Sequence, residues 1–83
     1  MSKVLYFTAP WCGPCKALGP IMEGLGSQLP YQKVNVDEDS ELSLRYSVRS
    51  VPTLIKVDGN GNQLGERLVG LARPEEIKEW YNG

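Results

Sequence analysis

The sequence Trp11-Cys12-Gly13-Pro14-Cys15 contains the only two cysteines of this 83-residue chain. It comes shortly after an apolar run over residues 4–7, and apolar residues recur at spacings of three and four after it. This change of period predicts a strand followed by a helix. Two cysteines at this spacing can supply half of a zinc site, but the chain has no histidine and no other cysteine for the second half. The pair is therefore interpreted as a redox-active dithiol.

A structural disulfide is the alternative use of the two cysteines. A disulfide that closes a loop of four residues removes only about 2 kcal/mol of chain entropy, which is near the low end for such bonds. A structural disulfide stabilises the folded state more when it closes a longer loop, so the spacing favours the redox role.

The apolar pattern on both sides of the cysteines predicts a strand, a helix and a second strand. Residues 3–8 are rich in β-branched and aromatic side chains without alternation, which is typical of a strand buried on both faces. Residues 13 to about 29 form an amphipathic helix, and residues 31–36 form the next strand. A strand, a helix and a strand within about 35 residues imply a right-handed parallel crossover.

The rest of the chain predicts a helix, a hairpin and a last helix. Ser40 or Asp39 caps a short helix that partly buries Leu42 and Leu44. Strands over residues 53–58 and 63–69 flank a turn rich in Gly and Asn, and the last helix opens at residues 73–76. The order β-α-β-α-β-β-α predicts an α/β fold with a four-stranded mixed sheet, flanked on both sides by three helices, in a single domain over residues 1–83.

Charge and hydropathy exclude several classes of partner. The net charge is −1 and the lysines are scattered, which argues against nucleic acid and anionic membranes. No signal peptide precedes the first strand, and no apolar run approaches about 20 residues. We expect a monomeric protein of the cytoplasm.

Four segments resemble the thioredoxin family over nearly the whole chain. They are the cysteine segment extended to Lys16, the segments Lys33-Val-Asn-Val-Asp37 and Tyr46-Ser-Val-Arg-Ser-Val-Pro-Thr-Leu54, and Gly70 before the last helix. The resemblance implies a thioredoxin-like fold. Typical thioredoxins begin earlier, with an extra strand and helix that this sequence lacks.

The two cysteines are expected to have different roles in disulfide exchange. Cys12 lies at the predicted helix N-terminus, where free N–H groups and the helix dipole stabilise a thiolate. Cys15 lies one turn into the helix and is expected to be more covered. Cys12 then attacks a substrate disulfide, and Cys15 resolves the mixed disulfide. No bound cofactor is expected beyond the redox-active disulfide Cys12–Cys15, and no metal.

The resemblance also implies a substrate-binding surface. In the family the bond corresponding to Val51–Pro52 is cis, and it lies against the cysteines. The backbone at Val51 is then free to pair with an extended substrate. The flat apolar rim around it is formed by Trp11, Gly13, Pro14, Val51, Gly70 and Leu71. For Trp11, packing in the core is the alternative.

One position departs from the family. Thioredoxins usually have a buried aspartate six residues before the first cysteine, which assists proton transfer at the second cysteine, and this chain has Tyr6 there. Lys33 matches the lysine beside that aspartate. A tyrosine hydroxyl can relay a proton through hydrogen bonds but is a poor base at neutral pH.

The predicted function is the reduction of protein disulfides. The resemblance implies an NADPH-dependent thioredoxin reductase as electron donor and disulfide-containing proteins as acceptors, with ribonucleotide reductase as one candidate. Two alternatives stay open from the sequence. One is a glutaredoxin-like, glutathione-coupled reductase, which the Gly-Pro between the cysteines opposes. The other is a non-catalytic binding subunit that uses the same fold.

Overall fold

The strands and helices follow one another in the predicted order β-α-β-α-β-β-α. A computed structural model describes residues 2–83 of the chain. The elements are β1 (Ser2–Thr8), α1 (Gly13–Leu25), β2 (Tyr31–Asn35), α2 (Ser40–Arg45), β3 (Thr53–Asp58), β4 (Leu68–Val69) and α3 (Pro74–Asn82). Within residues 2–83, no helix is long and apolar enough to cross a membrane.

The four strands form one mixed sheet in the order β2-β1-β3-β4. β1 and β2 are parallel, whereas β1–β3 and β3–β4 are antiparallel. β1 is therefore central, and its residues from Val4 to Thr8 are all buried, as the lack of alternation predicted. The register places Tyr6 of β1 beside Lys33 of β2 and Leu54 of β3.

Helices cover both faces of the sheet, as predicted. On one face, α1 and α3 pack on the side chains of β1 and β3 through Leu18, Met22, Leu25 and Ile77. On the other face, α2 and the residue after it contribute Leu42 and Tyr46 to a second cluster around Phe7, Ile55 and Val57. The sheet is thus buried between two apolar layers. The cysteine segment continues from the carboxyl end of β1, the central strand of this sheet.

Helix α1 is shorter than predicted. It ends at Leu25, and the N–H groups of Gln28 and Leu29 both donate to the Leu25 carbonyl in a turn. Glycine is an unfavourable helix residue, and Gly24 and Gly26 weaken the end of this helix. Leu29 is nevertheless buried, so the apolar spacing correctly indicated its contact with the core but not its conformation.

The prediction for α2 was correct for its cap and wrong for one of its apolar residues. Asp39 is the N-cap, and its side chain accepts the N–H of Leu42 at 3.1 Å. Leu42 is partly buried, but Leu44 is 77% exposed. A helix of six residues presents only one narrow face to the sheet, and Ser43 occupies the buried position beside Leu42.

The second strand of the hairpin is much shorter than predicted. Only residues 68–69 pair with β3 as β4, and a single bridge joins Val57 to Gln63. Between them Gly65 has a φ of +72°, which interrupts the extended conformation of a strand. The Arg67 guanidinium turns away to donate to the Tyr46 carbonyl at 2.8 Å and to Gln63 Oε1 at 2.6 Å.

Candidate active site

The two cysteines lie at the N-terminus of α1, directly after the turn that follows β1. The N–H of Cys12 donates to the Ala9 carbonyl at 3.2 Å, and Cys12 is the N-cap residue of the helix. Pro14 lies in the first turn, where a missing N–H costs little. The Cα atoms of Cys12 and Cys15 are 5.3 Å apart and their sulfurs form a disulfide. The N–H of Cys15 points at the Cys12 sulfur at 3.2 Å, so one free helical donor faces that sulfur.

Burial does not separate the two cysteines. Each is 4% exposed, so the prediction that Cys15 is more covered than Cys12 is wrong for this oxidised pair. Both pack with Ala9, and Val36 and Val51 lie against them. Cys12 is covered because its sulfur lies 3.5 Å from the Val51 carbonyl oxygen. The two cysteines differ instead in their polar neighbours.

The segment before β3 lies against the cysteines. The Val51–Pro52 peptide bond is cis, as the resemblance implied, and Pro52 is fully buried. The Pro52 carbonyl accepts the N–H of Gly70 at 2.9 Å. Gly70 has a φ of +93°, a conformation that favours glycine. These contacts bring Cys12, Val51 and Gly70 together at one end of the sheet.

Apolar residues of the predicted rim are accessible around this point. Trp11 is 68% exposed and Leu71 is 56% exposed, so core packing of Trp11 is excluded. Gly13 and Pro14 are exposed, and Val51 is half-buried. A groove of about 160 Å³ runs beside Trp11, and it is lined by Trp11, Val36, Val48, Arg49, Ser50 and Val51. Of the predicted rim residues, Trp11 and Val51 line this groove, whereas Gly13, Pro14, Gly70 and Leu71 lie outside its walls.

Tyr6 contacts Cys15, and Lys33 lies beside Tyr6 on the neighbouring strand. Tyr6 is 2% exposed, and its hydroxyl donates to the Cys15 carbonyl at 3.3 Å. Both residues line a cavity of about 390 Å³ that Cys15 also borders. The full set of lining residues is Tyr6, Thr8, Ala9, Pro10, Cys15, Lys16, Gly19, Lys33 and Asn35. The walls of this cavity, which we call the Cys15 cavity, contain two lysines and no carboxylate.

Asp37 and Lys16 are two further contributors to this site. The carboxylate of Asp37 accepts the indole N–H of Trp11 at 2.9 Å, a contact that the sequence does not predict. Lys16 is exposed and belongs to the wall of the Cys15 cavity. No local sequence signal links Trp11 to Asp37, because their contact depends on the parallel pairing of β1 and β2. In residues 2–83, no group of three or more His, Cys, Asp or Glu side chains could hold a metal ion.

The chain is similar in sequence to known proteins. Residues 1–82 match the profile of the Thioredoxin family. A thioredoxin of Chlamydia pneumoniae is 43% identical over 79 residues, which cover 92% of this chain and 76% of the relative. A thioredoxin of Bacillus subtilis is 41% identical over 81 residues, which cover 92% of this chain and 75% of the relative. The chain thus spans about three-quarters of the length of these relatives.

Solved structures agree with the sequence comparison. A mutant thioredoxin from Halobacterium salinarum is 37% identical and superposes with a TM-score of 0.84, over 98% of this chain and 72% of that one. Reduced thioredoxin of Schistosoma mansoni is 30% identical with a TM-score of 0.86, over 98% of this chain and 76% of that one. Sequence and structure point to the same family.

Proposed function

Because this chain belongs to the thioredoxin family and is a dithiol–disulfide oxidoreductase of thioredoxin type, we propose that Cys12 is the attacking thiol and Cys15 the resolving thiol. The observation that carries this assignment is the position of Cys12 at the N-cap of α1, with the Cys15 N–H directed at its sulfur. A helix N-terminus stabilises negative charge, so the thiolate of Cys12 is favoured in the reduced protein.

The reaction then proceeds in two exchanges. The Cys12 thiolate attacks one sulfur of a substrate disulfide, which forms a Cys12–substrate disulfide and releases the other substrate sulfur as a thiolate. The Cys15 thiol loses its proton and attacks the Cys12 sulfur, which forms the Cys12–Cys15 disulfide and releases the second substrate thiolate. Two electrons pass from the dithiol to the substrate, and the product is the oxidised state seen in the structure.

The exposed apolar surface around Cys12 is the proposed substrate site. Trp11 and Leu71 are accessible apolar side chains on this surface, and Val51 provides backbone next to the Cys12 sulfur. An extended substrate segment can pair with this backbone by strand addition while its disulfide lies over Cys12. Gly13, Pro14 and Gly70 add little bulk to this surface, and Pro52 lies buried beneath it, so a protein chain can approach the backbone closely.

A trapping experiment tests the assignment of the cysteines. Cys15→Ser should accumulate a stable mixed disulfide with a protein substrate such as insulin, because the attacking thiol is present and the resolving thiol is not. Cys12→Ser should accumulate none, since the remaining thiol has no role in the first attack. Mass spectrometry of the trapped adducts reads the outcome. Adducts formed through Cys15 in the Cys12→Ser protein, and absent from Cys15→Ser, would reverse the assignment.

An NADPH-dependent thioredoxin reductase is the proposed electron donor, and disulfide-containing proteins are the proposed acceptors, with ribonucleotide reductase as one candidate. This direction of electron flow suits the cytoplasm, where thiols are kept reduced. Insulin reduction can be followed as NADPH loss with each donor system in turn. We expect much faster turnover with thioredoxin reductase than with glutathione and its reductase. The reverse order would contradict the proposed donor and leave the roles of the cysteines untouched.

A further inference from the structure

Cys15 borders a cavity whose chemistry is unusual for a site of proton transfer. The Cys15 cavity has a volume of about 390 Å³, which is large enough for several water molecules or a small anion. Its charged side chains are Lys16 from α1 and Lys33 from β2. Its walls also contain the hydroxyls of Tyr6 and Thr8 from β1 and the side-chain amide of Asn35. All of these are hydrogen-bond donors, and none is a carboxylate or an imidazole.

The resolving step needs a proton acceptor near Cys15. Under the proposed function, the Cys15 thiol must become a thiolate before it attacks the Cys12 sulfur. The chain has no histidine, and the walls of the cavity supply no carboxylate. The hydroxyl of Tyr6 already donates to the Cys15 carbonyl. A hydroxyl and an ammonium are poor bases at neutral pH, so the groups in the walls do not themselves supply the acceptor.

The same walls favour a bound anion. Lysine ammonium groups attract oxyanions and each offers three donors. In residues 2–83, the ion pairs all involve Arg73, so neither Lys16 nor Lys33 is paired with a carboxylate. Asp37, the acidic residue nearest in sequence to Asn35, is bound to the Trp11 indole and is not part of the walls. Two exposed lysines without an ion pair among residues 2–83 therefore line one polar cavity.

From these two observations we infer that the Cys15 cavity binds a small oxyanion of the phosphate class, and that this anion accepts the proton of Cys15 during resolution. The inference rests on the proposed role of Cys15. Hydrogen phosphate dianion takes the thiol proton and becomes dihydrogen phosphate. The Cys15 thiolate then forms the bond to the Cys12 sulfur, and the bond from Cys12 to the substrate breaks. The substrate disulfide is the oxidant, and the departing substrate thiolate is protonated by solvent.

Rapid mixing of the reduced protein with dithiodipyridine separates the two exchanges. Release of the first thiopyridone reports attack by Cys12, and release of the second reports resolution by Cys15. At constant pH and ionic strength, added inorganic phosphate should accelerate the second release by up to about tenfold, below the ~10²–10⁴-fold of a permanently positioned side chain. The acceleration should saturate with phosphate, and the first release should not show it.

Sulfate separates binding from proton transfer. It has the shape and charge to occupy the cavity but accepts no proton at neutral pH, so it should not accelerate resolution and should inhibit the effect of phosphate competitively. Amide chemical shifts of Tyr6 and Lys33 in the oxidised protein should move on titration with either anion. Equal acceleration by sulfate would overturn the inference, because it would show a general effect of charge.

Variants of the two lysines complete the test. Lys33→Gln and Lys16→Gln should each lose the saturable effect of phosphate and the chemical-shift response. Lys78→Gln, which removes a lysine of α3 outside the cavity walls, should keep both. A phosphate effect that is linear and identical in all four proteins would overturn the inference, since it would come from buffer in solution. Absence of any second release in the wild type would instead contradict the proposed role of Cys15.

Discussion

The indole N–H of Trp11 donates a hydrogen bond to the carboxylate of Asp37 at 2.9 Å, between residues that are 26 apart in the sequence. Trp11 follows β1, and Asp37 follows β2, which is the parallel neighbour of β1. The carboxyl ends of parallel neighbouring strands lie at the same edge of a sheet, and this brings the two residues together. Asp37 thus holds the indole of Trp11, and Trp11 precedes Cys12 and lines the groove beside it.

We expect Asp37→Ala to release Trp11 and weaken substrate binding. Loss of a hydrogen bond at an exposed site should cost about 0.5–1 kcal/mol, or about two- to fivefold in the efficiency of insulin reduction. In a Trp80→Phe background, the fluorescence anisotropy of Trp11 should fall. Glu38→Ala, which removes the neighbouring carboxylate with no side-chain contact to Trp11, is the matched control. Equal anisotropy in both variants would show that Asp37 does not orient the indole.

The contribution of the Tyr6 hydroxyl can be measured separately from that of its ring. Tyr6→Phe keeps the buried ring and its edge contact with Tyr31, whose centroid is 6.2 Å away, but loses the bond to the Cys15 carbonyl. We expect a loss of about 1 kcal/mol in the free energy of unfolding, measured with urea. A loss above about 3 kcal/mol would show that the hydroxyl supports more than this single bond.

Tyr6→Asp is expected to lower the free energy of unfolding and to raise the rate of resolution by Cys15. The variant loses a large buried side chain and places a carboxylate in its site, so the free energy of unfolding should fall by more than about 3 kcal/mol. The carboxylate is a better proton acceptor than a hydroxyl, so the second thiopyridone release should accelerate near neutral pH and lose its dependence on phosphate. A folded variant with unchanged resolution would show that a carboxylate at this position does not take the proton of Cys15, and that another group or water does.

Two glycine substitutions should change stability in opposite directions. At both Gly70 and Gly24 an added Cβ meets no atom within 4 Å, so only the backbone decides the outcome. Gly70 has a φ of +93°, and Gly70→Ala should cost about 1–2 kcal/mol. Gly24 lies in α1, and Gly24→Ala should stabilise by about 0.5–1 kcal/mol. Urea midpoints measure both, and a stabilising Gly70→Ala would contradict the strain at that residue.

Asp58 should make the protein less stable in acid. The N–H groups of Asn62 at 2.9 Å and Asn60 at 2.8 Å donate to its carboxylate and hold the pKa of Asp58 below its ordinary value. A pKa lowered by folding stabilises the protein above the ordinary pKa of about 4, and that contribution is lost as the pH falls through the folded value.

Unfolding by urea at neutral pH and at about pH 3 measures this contribution. Asp58→Asn keeps an oxygen that accepts the same N–H groups but does not titrate, so its stability should fall less on acidification than that of the wild type. Identical losses in the two proteins would show that other carboxylates carry the acid sensitivity.

Local sequence signals correctly predicted the strand β1, the cap of α2 and the pairing of Cys12 with Cys15. These features depend on spacing and turn chemistry within a few residues. The errors occurred where tertiary contacts decide the structure. The turn rich in Gly and Asn predicts a paired strand through residues 64–67, but the Arg67 side chain bonds to the Tyr46 carbonyl and only residues 68–69 form β4. Leu44 fits a helical pattern, but α2 is too short to bury it. The Cys15 cavity could not be predicted as a whole, since its lining residues come from β1 and the turn after it, from α1 and from β2, and are brought together only by the tertiary fold.

The position of β2 at the edge of the sheet bears on self-association. An edge strand presents unpaired backbone N–H and C=O groups, to which a strand of another molecule can add. Exposed lysines on an edge oppose such growth, and Lys33 and Gln32 are the exposed polar residues of this strand. Lys33 thus opposes aggregation at the edge of the sheet, and it also contributes positive charge to the wall of the Cys15 cavity. Lys33→Gln weakens both effects, and sedimentation of that variant distinguishes an aggregated protein from one that has only lost its anion.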